Sequence, residues 1–172
     1  MSRRVVVTLA TLVGVLTLGT MGFLGAVSAA PSGTVAKVRT LTVVMKSLER
    51  KVVDLGAPGP THGDMRLDNA PLYNASGKQI IGRFDLFCAT TDPADKPAEM
   101  VHMQECMATF TLPGGEIETQ SVTGIPKGVF PRSKGGVSAI TGGTGKFFGV
   151  KGELRFVPRG PNFYVMTFHY IN

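Results

Sequence analysis

The sequence has few of the residues on which metal and thiol chemistry depends. Its 172 residues include two cysteines and three histidines. The histidines are far apart, at His62, His102 and His169, whereas zinc sites need more ligands at short spacing. We therefore expect no metal site, and we expect no other cofactor.

Long runs of Ala, Glu, Lys and Leu are also missing, and no segment after the N-terminal region keeps a helical period. In their place the chain carries 22 glycines and 11 prolines. That composition favours an all-β domain with many turns. The length is enough for a single domain with a sizeable core.

Three functional motifs are absent. No Gly-x-Ser-x-Gly elbow of a hydrolase occurs. The glycines before Lys146 do not form a phosphate-binding loop, because Ile140 and Phe147 stand where that motif needs Gly and Ser or Thr. The formal charge is +6, but the basic residues are scattered and do not form a run with interleaved aromatics. Nucleic-acid binding is therefore not expected.

The first 29 residues have the pattern of a secretory signal peptide. Arg3 and Arg4 precede an apolar run from Val5 to Val27, and small residues follow at Val27-Ser28-Ala29. We predict a signal peptide over 1–29, a short linker over 30–37 and a secreted or cell-surface protein. The apolar run is long enough to span a bilayer, so an uncleaved anchor is the alternative and would be the only contact with a membrane.

The rest of the chain reads as short strands joined by turns. Strands are predicted at about residues 35–45, 65–67, 80–89, 104–112, 117–123, 137–141, 147–157 and 163–171. The polar residues 46–51 can continue the first strand at an edge. Pro71 is expected to interrupt the chain or to mark an edge or bulge. About eight strands predict a closed antiparallel barrel, with a two-sheet sandwich as the alternative.

Alternation along two of these strands places both cysteines on apolar faces. Cys88 shares a face with Ile80, Phe84 and Leu86, and Cys106 shares one with Ala108, Phe110 and Leu112. If the two strands are antiparallel neighbours, the cysteines face each other across the inner wall. Export would place them in an oxidising compartment. We predict a Cys88–Cys106 disulfide, with two buried free thiols as the alternative.

The stretch from Ser138 to Gly152 reads as a strand, a glycine turn and a second strand. Gly142, Gly143 and Gly145 are predicted to supply the positive φ values of the turn. Ala139-Ile140-Thr141-Gly142-Gly143-Thr144-Gly145-Lys146-Phe147, continuing through Gly149 and Gly152, resembles the hallmark hairpin of dirigent proteins and allene oxide cyclases. Both have an eight-stranded antiparallel β-barrel, so the resemblance implies a single such barrel over 38–172.

Other segments extend this resemblance over nearly the whole chain after the N-terminal region. Gly63-Asp64, Asp68-Asn69 with Pro71-Leu72-Tyr73, and the stretch from Gly77 to Arg83 resemble the second and third strands of both families. The paired cysteines and the loop starting at Asp54 are more similar to bacterial, secreted members of the superfamily.

The resemblance also suggests site residues. In allene oxide cyclases an Asn before Leu-Tyr holds a water against the substrate epoxide, and Asn69 matches it. Glu49 is the nearest candidate for their first-strand Glu, and Cys88 fits a cavity-lining Cys. On their own, Asn69 is more typical of a turn and Glu49 of a solvated surface.

A barrel of this type is expected to bind one hydrophobic small molecule in its interior. The interior candidates are Tyr73, Phe84, Leu86 and Phe110. The implied activity is cyclisation or isomerisation, which needs conformational restraint and one polarising group. The alternative is a non-catalytic secreted or cell-surface binding module of the same fold. Dirigent-type barrels often associate, so a homo-oligomer is also an expectation.

Overall fold

The computed structural model describes residues 36–46, 48–93, 101–126 and 135–172. The predicted signal peptide and most of the predicted linker lie outside these residues. The described elements are β1 Arg39–Lys46, β2 Glu49–Val53, β3 Met65–Tyr73, β4 Ile80–Asp92, β5 Val101–Leu112, β6 Gly115–Pro126, β7 Gly136–Gly143, a single 3₁₀ turn Gly145–Phe147, β8 Lys151–Gly160 and β9 Phe163–Ile171.

Eight of the nine strands close into one antiparallel barrel, in the order β1-β9-β8-β7-β6-β5-β4-β3, with β3 returning to β1. The ninth strand, β2, adds to the free part of β3, where Glu49 lies opposite Asn69. The predicted eight-stranded barrel is therefore confirmed, and a two-sheet sandwich is excluded. The polar residues after β1 form this additional strand and do not prolong β1.

One end of the barrel is filled with apolar side chains. Phe110, Phe168, Leu72, Ile117, Val43 and Val150 are all less than 2% exposed. Phe147, from the 3₁₀ turn between β7 and β8, is also buried there and packs against Tyr170. We call this the plugged end. It lies at the β5–β6 hairpin, since Thr144 and Lys146 donate backbone hydrogen bonds to Glu116 and Gly114.

Strand β3 runs through Pro71, where the sequence predicted an interruption. Pro71 lies opposite Arg83 of β4. On its other edge, β3 pairs with β2 over residues 65–69 and with β1 at residues 72–73. Pro71 thus falls between these two partners, where a proline costs no ladder hydrogen bond on that edge.

The predicted inner face of β4 is wrong at its first residue. Ile80 is 60% exposed, whereas Ile81 packs against the core. A register shift next to Tyr73, which lies opposite Ile80, moves the alternation by one position. A bulge of this kind turns the preceding side chains to the other face.

The glycine stretch reverses the chain differently from the prediction. Only Gly145 of the three glycines has a positive φ, at 57°, whereas Gly142 and Gly143 are the last residues of β7. A Cβ on Gly143 would come within 2.6 Å of the carbonyl oxygens of Glu116 and Phe147. Gly143 is therefore required by close backbone approach. Phe147 belongs to the plug and not to β8, because the reversal takes up a full 3₁₀ turn.

Candidate functional site

The half of the barrel away from the plugged end contains a cavity of about 100 Å³. Side chains from all nine strands or their connections line it. Its apolar lining residues include Met45, Leu48, Phe84, Leu86, Ala108, Phe110, Ile125, Leu154, Phe156 and Met166. Its polar ones include Arg50, Arg66, Asp68, Thr119, Ser121, Thr123, Ser138 and Tyr164. An interior that is mostly apolar, with a few polar groups, is the usual make-up of a small-molecule site.

An aromatic series forms the floor of the cavity. The ring centroids of Phe84 and Phe110 are 5.1 Å apart, and Phe110 in turn meets Phe168 edge to face at 4.9 Å. Phe84 and Phe110 line the cavity, and Phe168 lies beneath them in the core. The floor therefore rests on the packed half of the barrel.

A buried ionic cluster forms one part of the cavity wall. Arg50 on β2 donates two hydrogen bonds to Asp68 on β3, from Nε to Oδ1 at 2.7 Å and from Nη2 to Oδ2 at 2.8 Å. These bonds raise the pKa of Arg50, although burial acts in the opposite direction. Arg66 reaches the same carboxylate at 3.5 Å, from Nε to Oδ2. Arg66 and Asp68 are two residues apart on β3 and therefore share one face, and this face is turned into the barrel, since both residues line the cavity.

The predicted disulfide is present beside this cluster. Cys88 and Cys106 lie directly opposite each other on β4 and β5, and their sulfurs are bonded. Arg66 Nη2 is 3.0 Å from Cys88 Sγ and 3.7 Å from Cys106 Sγ. Cys106 also lines the cavity. The disulfide is therefore the part of the β4–β5 wall that faces the guanidinium of Arg66.

The structure brings some of the predicted site residues together and not others. Phe84, Leu86 and Phe110 line the cavity. Asn69 lines a groove on the outer face of the barrel, and Glu49, its cross-strand neighbour on the same face, is exposed. Neither Asn69 nor Glu49 lines the cavity, and their catalytic roles stay predictions.

Tyr73 lies where the barrel closes and not among the cavity residues. Its register partner is Val44 of β1, and its ring is 5.0 Å from the Lys46 ammonium. The same Nζ donates a hydrogen bond to the carbonyl oxygen of Gly77 at 2.7 Å. The surroundings of Tyr73 thus indicate a role in holding β1 and β3 together.

The sequence interpretation missed the ionic cluster, although the pattern contained it. On β3, the residues Arg66, Asp68, Ala70 and Leu72 alternate onto one face, and all four are buried. Arg66 and Asp68 were not predicted to be buried, because charged residues generally face solvent. Strict period-two alternation from Leu72 backwards would have placed them inside the barrel.

Asp64 holds the loop between β2 and β3 at the end of the barrel that contains the cavity. Its carboxylate accepts hydrogen bonds from the backbone of Leu55 and from both the backbone and hydroxyl of Thr61. Burial raises the pKa of Asp64, but these bonds and nearby His102 outweigh that effect, so the pKa lies below its usual value.

The described residues contain neither a metal-binding cluster nor a membrane-spanning helix. No group of three or more His, Cys, Asp or Glu side chains in this part of the chain is arranged to hold a metal ion. No helix among residues 36–46, 48–93, 101–126 and 135–172 is long and apolar enough to cross a membrane.

Comparison with known proteins links the chain to solved structures only. Neither a protein-family model nor a curated protein matches the sequence. Pyocyanin demethylase superposes with a TM-score of 0.62 at 27% identity, over 77% of this chain and 99% of that protein. The Diels-Alderase AbmU from Streptomyces koyangensis gives 0.57 at 14% identity, over 78% of this chain and 63% of that one. The pterocarpan synthase dirigent protein GePTS1 gives 0.54 at 12% identity, over 78% and 88%.

These matches agree in fold and differ in the activity that their names state. The resemblance to allene oxide cyclases and dirigent proteins is confirmed at the level of architecture. The closer similarity to bacterial, secreted members of the superfamily stays a prediction. The chain has the antiparallel barrel fold that dirigent proteins and Diels-Alderase cyclases share.

Proposed function

We propose that the barrel binds one small hydrophobic molecule in its interior cavity and guides its cyclisation or isomerisation. The observation that carries the proposal is the cavity itself, with an aromatic floor and charged groups confined to one part of its wall. Such a site can restrain a flexible molecule in a reactive conformation. Proteins of this fold are named for cycloaddition, pterocarpan synthesis and pyocyanin demethylation, and these are reactions of small organic molecules.

The size of the cavity sets the size of the ligand. At about 100 Å³ it is smaller than an engineered cavity of about 150 Å³ that takes up benzene. We infer that one ring or a short chain enters the barrel and that the remainder of a larger ligand extends beyond it. The proposal also includes export through a signal peptide, a secreted or cell-surface location and association into oligomers. These parts rest on the sequence and not on the barrel.

Thermal unfolding against a panel of lipophilic epoxides, fatty acids and phenolics tests binding. A ligand present at 100 times its Kd adds about 2.7 kcal/mol to the free energy of unfolding. Product analysis with each stabilising compound then separates an enzyme from the alternative, a non-catalytic binding module, because only the enzyme converts the compound.

A cavity-filling variant connects any such shift to the interior. Ala108 is buried and lines the cavity, so Ala108→Leu places three more carbons in the ligand's space. We expect the ligand-induced rise in Tm to disappear, while circular dichroism still shows a folded barrel. Val122→Leu, at a position that is 64% exposed on the neighbouring strand, is the matched control and should keep the full rise. An undiminished rise in Ala108→Leu would contradict binding in the cavity.

A further inference from the structure

Arg66 is buried in the cavity wall with poor hydrogen-bond acceptors around it. The residue is 8% exposed. Two of its close contacts are the disulfide sulfurs, at 3.0 Å and 3.7 Å from Nη2. Sulfur is a weak acceptor and carries no charge in a disulfide. These contacts shield the guanidinium from water without compensating its charge.

The nearby carboxylate of Asp68 is already hydrogen-bonded to another arginine, Arg50. Both oxygens of Asp68 accept short hydrogen bonds from Arg50. Arg66 Nε is 3.5 Å from Asp68 Oδ2, which is too far for a good hydrogen bond. Among the described residues, Arg66 Nε is a buried donor with no hydrogen-bond partner. Asp68 therefore provides Arg66 with charge attraction only.

Electrostatics at this point favours an additional negative charge. Burial lowers the pKa of Arg66, Arg50 lowers it further, and Asp68 and Tyr164 act in the opposite direction. A buried cation that lacks full hydrogen bonding is costly. An anion that entered the cavity would reduce this cost, because Arg50, Arg66 and Asp68 all line the cavity.

We propose that the ligand of the cavity is an amphipathic anion, with a carboxylate that pairs with the guanidinium of Arg66 and an apolar body that rests on Phe84 and Phe110. This inference rests on the proposed function and names the class of its ligand. A guanidinium is a planar fork whose N–H groups match the two oxygens of a carboxylate. The wall opposite Arg66 also carries a polar group, the hydroxyl of Ser138. Ser138 lies on β7, which is four strands from β3 in either direction around the barrel.

A pair of probes that differ in charge alone tests the proposal. Cinnamate and cinnamide have the same ring, the same length and nearly the same shape, but only cinnamate carries a negative charge at neutral pH. Their dissociation constants can be measured by ligand-observed NMR titration, which needs no tryptophan in the protein. We expect cinnamate to bind about 10- to 100-fold more tightly than cinnamide, the usual effect of hydrogen bonds to a charged group.

The variant Arg66→Met tests whether Arg66 causes the preference for the charged probe. The variant removes the cation and keeps much of its apolar bulk, and Asp68 retains its two hydrogen bonds from Arg50, so the barrel is expected to fold. It should lose the preference for cinnamate and bind cinnamide as the unaltered protein does. Arg66→Lys, which keeps the charge without the fork, should restore part of the preference. Arg83→Met, which removes an exposed arginine paired with Asp85, is the control and should leave the preference unchanged.

The outcomes separate this inference from the proposed function. Equal binding of the two probes by the unaltered protein, or equal weakening of both by Arg66→Met, would overturn the anion and leave the cavity as a binding site. Binding of neutral panel compounds, with no binding of cinnamate or of the fatty acids, would overturn it as well. A barrel that binds no compound in its cavity would overturn the proposed function and the anion together.

Discussion

His102 is a half-buried titratable side chain close to the charges of the cavity end. Burial lowers its pKa, Arg66 lowers it further, and Asp64 raises it less than these two lower it. Its folded pKa therefore lies below the ordinary value of about 6.5, and the unfolded chain takes up the proton more readily. Stability from this residue is complete above about pH 6.5 and is lost as the pH falls from there through the folded pKa.

Replacement of His102 should therefore reduce the dependence of stability on pH. His102→Gln should flatten the decrease in the urea midpoint between about pH 7.5 and about pH 5. His62→Gln, at an exposed position in the β2–β3 loop, serves as the control and should keep the decrease. Asp64 does not interfere in this range, because stability from its lowered pKa is lost only as the pH falls below about 3.9. A decrease of equal slope in His102→Gln would show that another group causes it.

At the scale of elements, the disulfide joins two strands that are already paired. Cys88 and Cys106 are one pair in a β4–β5 ladder that runs from Arg83 opposite Thr111 to Asp92 opposite Met103. The bond closes a segment whose ends are 18 residues apart. In the chain-entropy model a crosslink of this size stabilises the folded state by about 3 kcal/mol, through its effect on the unfolded chain.

Removal of both cysteines should therefore lower stability without dismantling the barrel. For Cys88→Ala/Cys106→Ala we expect a loss of about 3 kcal/mol in the free energy of unfolding, measured by urea titration. The far-ultraviolet circular dichroism should stay that of a β protein. Reductant should destabilise the unaltered protein by a similar amount and should leave the variant unaffected. A loss below about 1 kcal/mol would mean that the crosslink constrains the unfolded chain little.

The elements also show why sequence reasoning succeeded in part. The facing cysteines of β4 and β5 were predictable, because alternation is regular around both residues. The reversal at Ile80 and Ile81 was not, since a bulge depends on the partner strand and leaves no local mark. Pro71 was misjudged for a similar reason: its tolerance comes from the exchange of partners along β3.

The candidate site was less predictable than the fold. Hydrophobic residues such as Phe84 and Phe110 could be placed in the interior from the pattern. Arg66 and Asp68 could not be recognised as a pair with Arg50, because β2 was not expected as a separate strand. A buried ionic cluster can be recognised from sequence only when the strand that supplies the partner charge has been predicted.

For the molecule as a whole, the strand pair that closes the barrel is the shortest of the described strand pairs. Strands β1 and β3 share only two register pairs, Val44 with Tyr73 and Met45 with Leu72. Lys46 reinforces this closure. Its Nζ bonds the carbonyl oxygen of Gly77 and lies near the rings of Tyr73 and Phe163, at 5.0 Å and 5.8 Å.

Lys46→Met tests the closure. Loss of the charged hydrogen bond and the ring contacts should cost about 1–2 kcal/mol of unfolding free energy. Amide hydrogens of Val44 to Lys46 should exchange faster than those at the centres of β5 and β6. Lys78→Met, at an exposed position in the neighbouring turn, is the matched control. Uniform acceleration across all strands would indicate global destabilisation and would contradict a local role.

The pairing of β1 with β9 has a consequence for the synthesis of the chain. Arg39, in the first strand, lies opposite Tyr170, in the last. A ribosome adds residues at about 5–20 per second, so β1 waits for several seconds or longer before its main neighbour exists. The barrel cannot close before β9 has been made. If the N-terminal segment directs export as predicted, it would emerge from the ribosome long before β9, and the barrel would still be open when that segment meets a translocation channel.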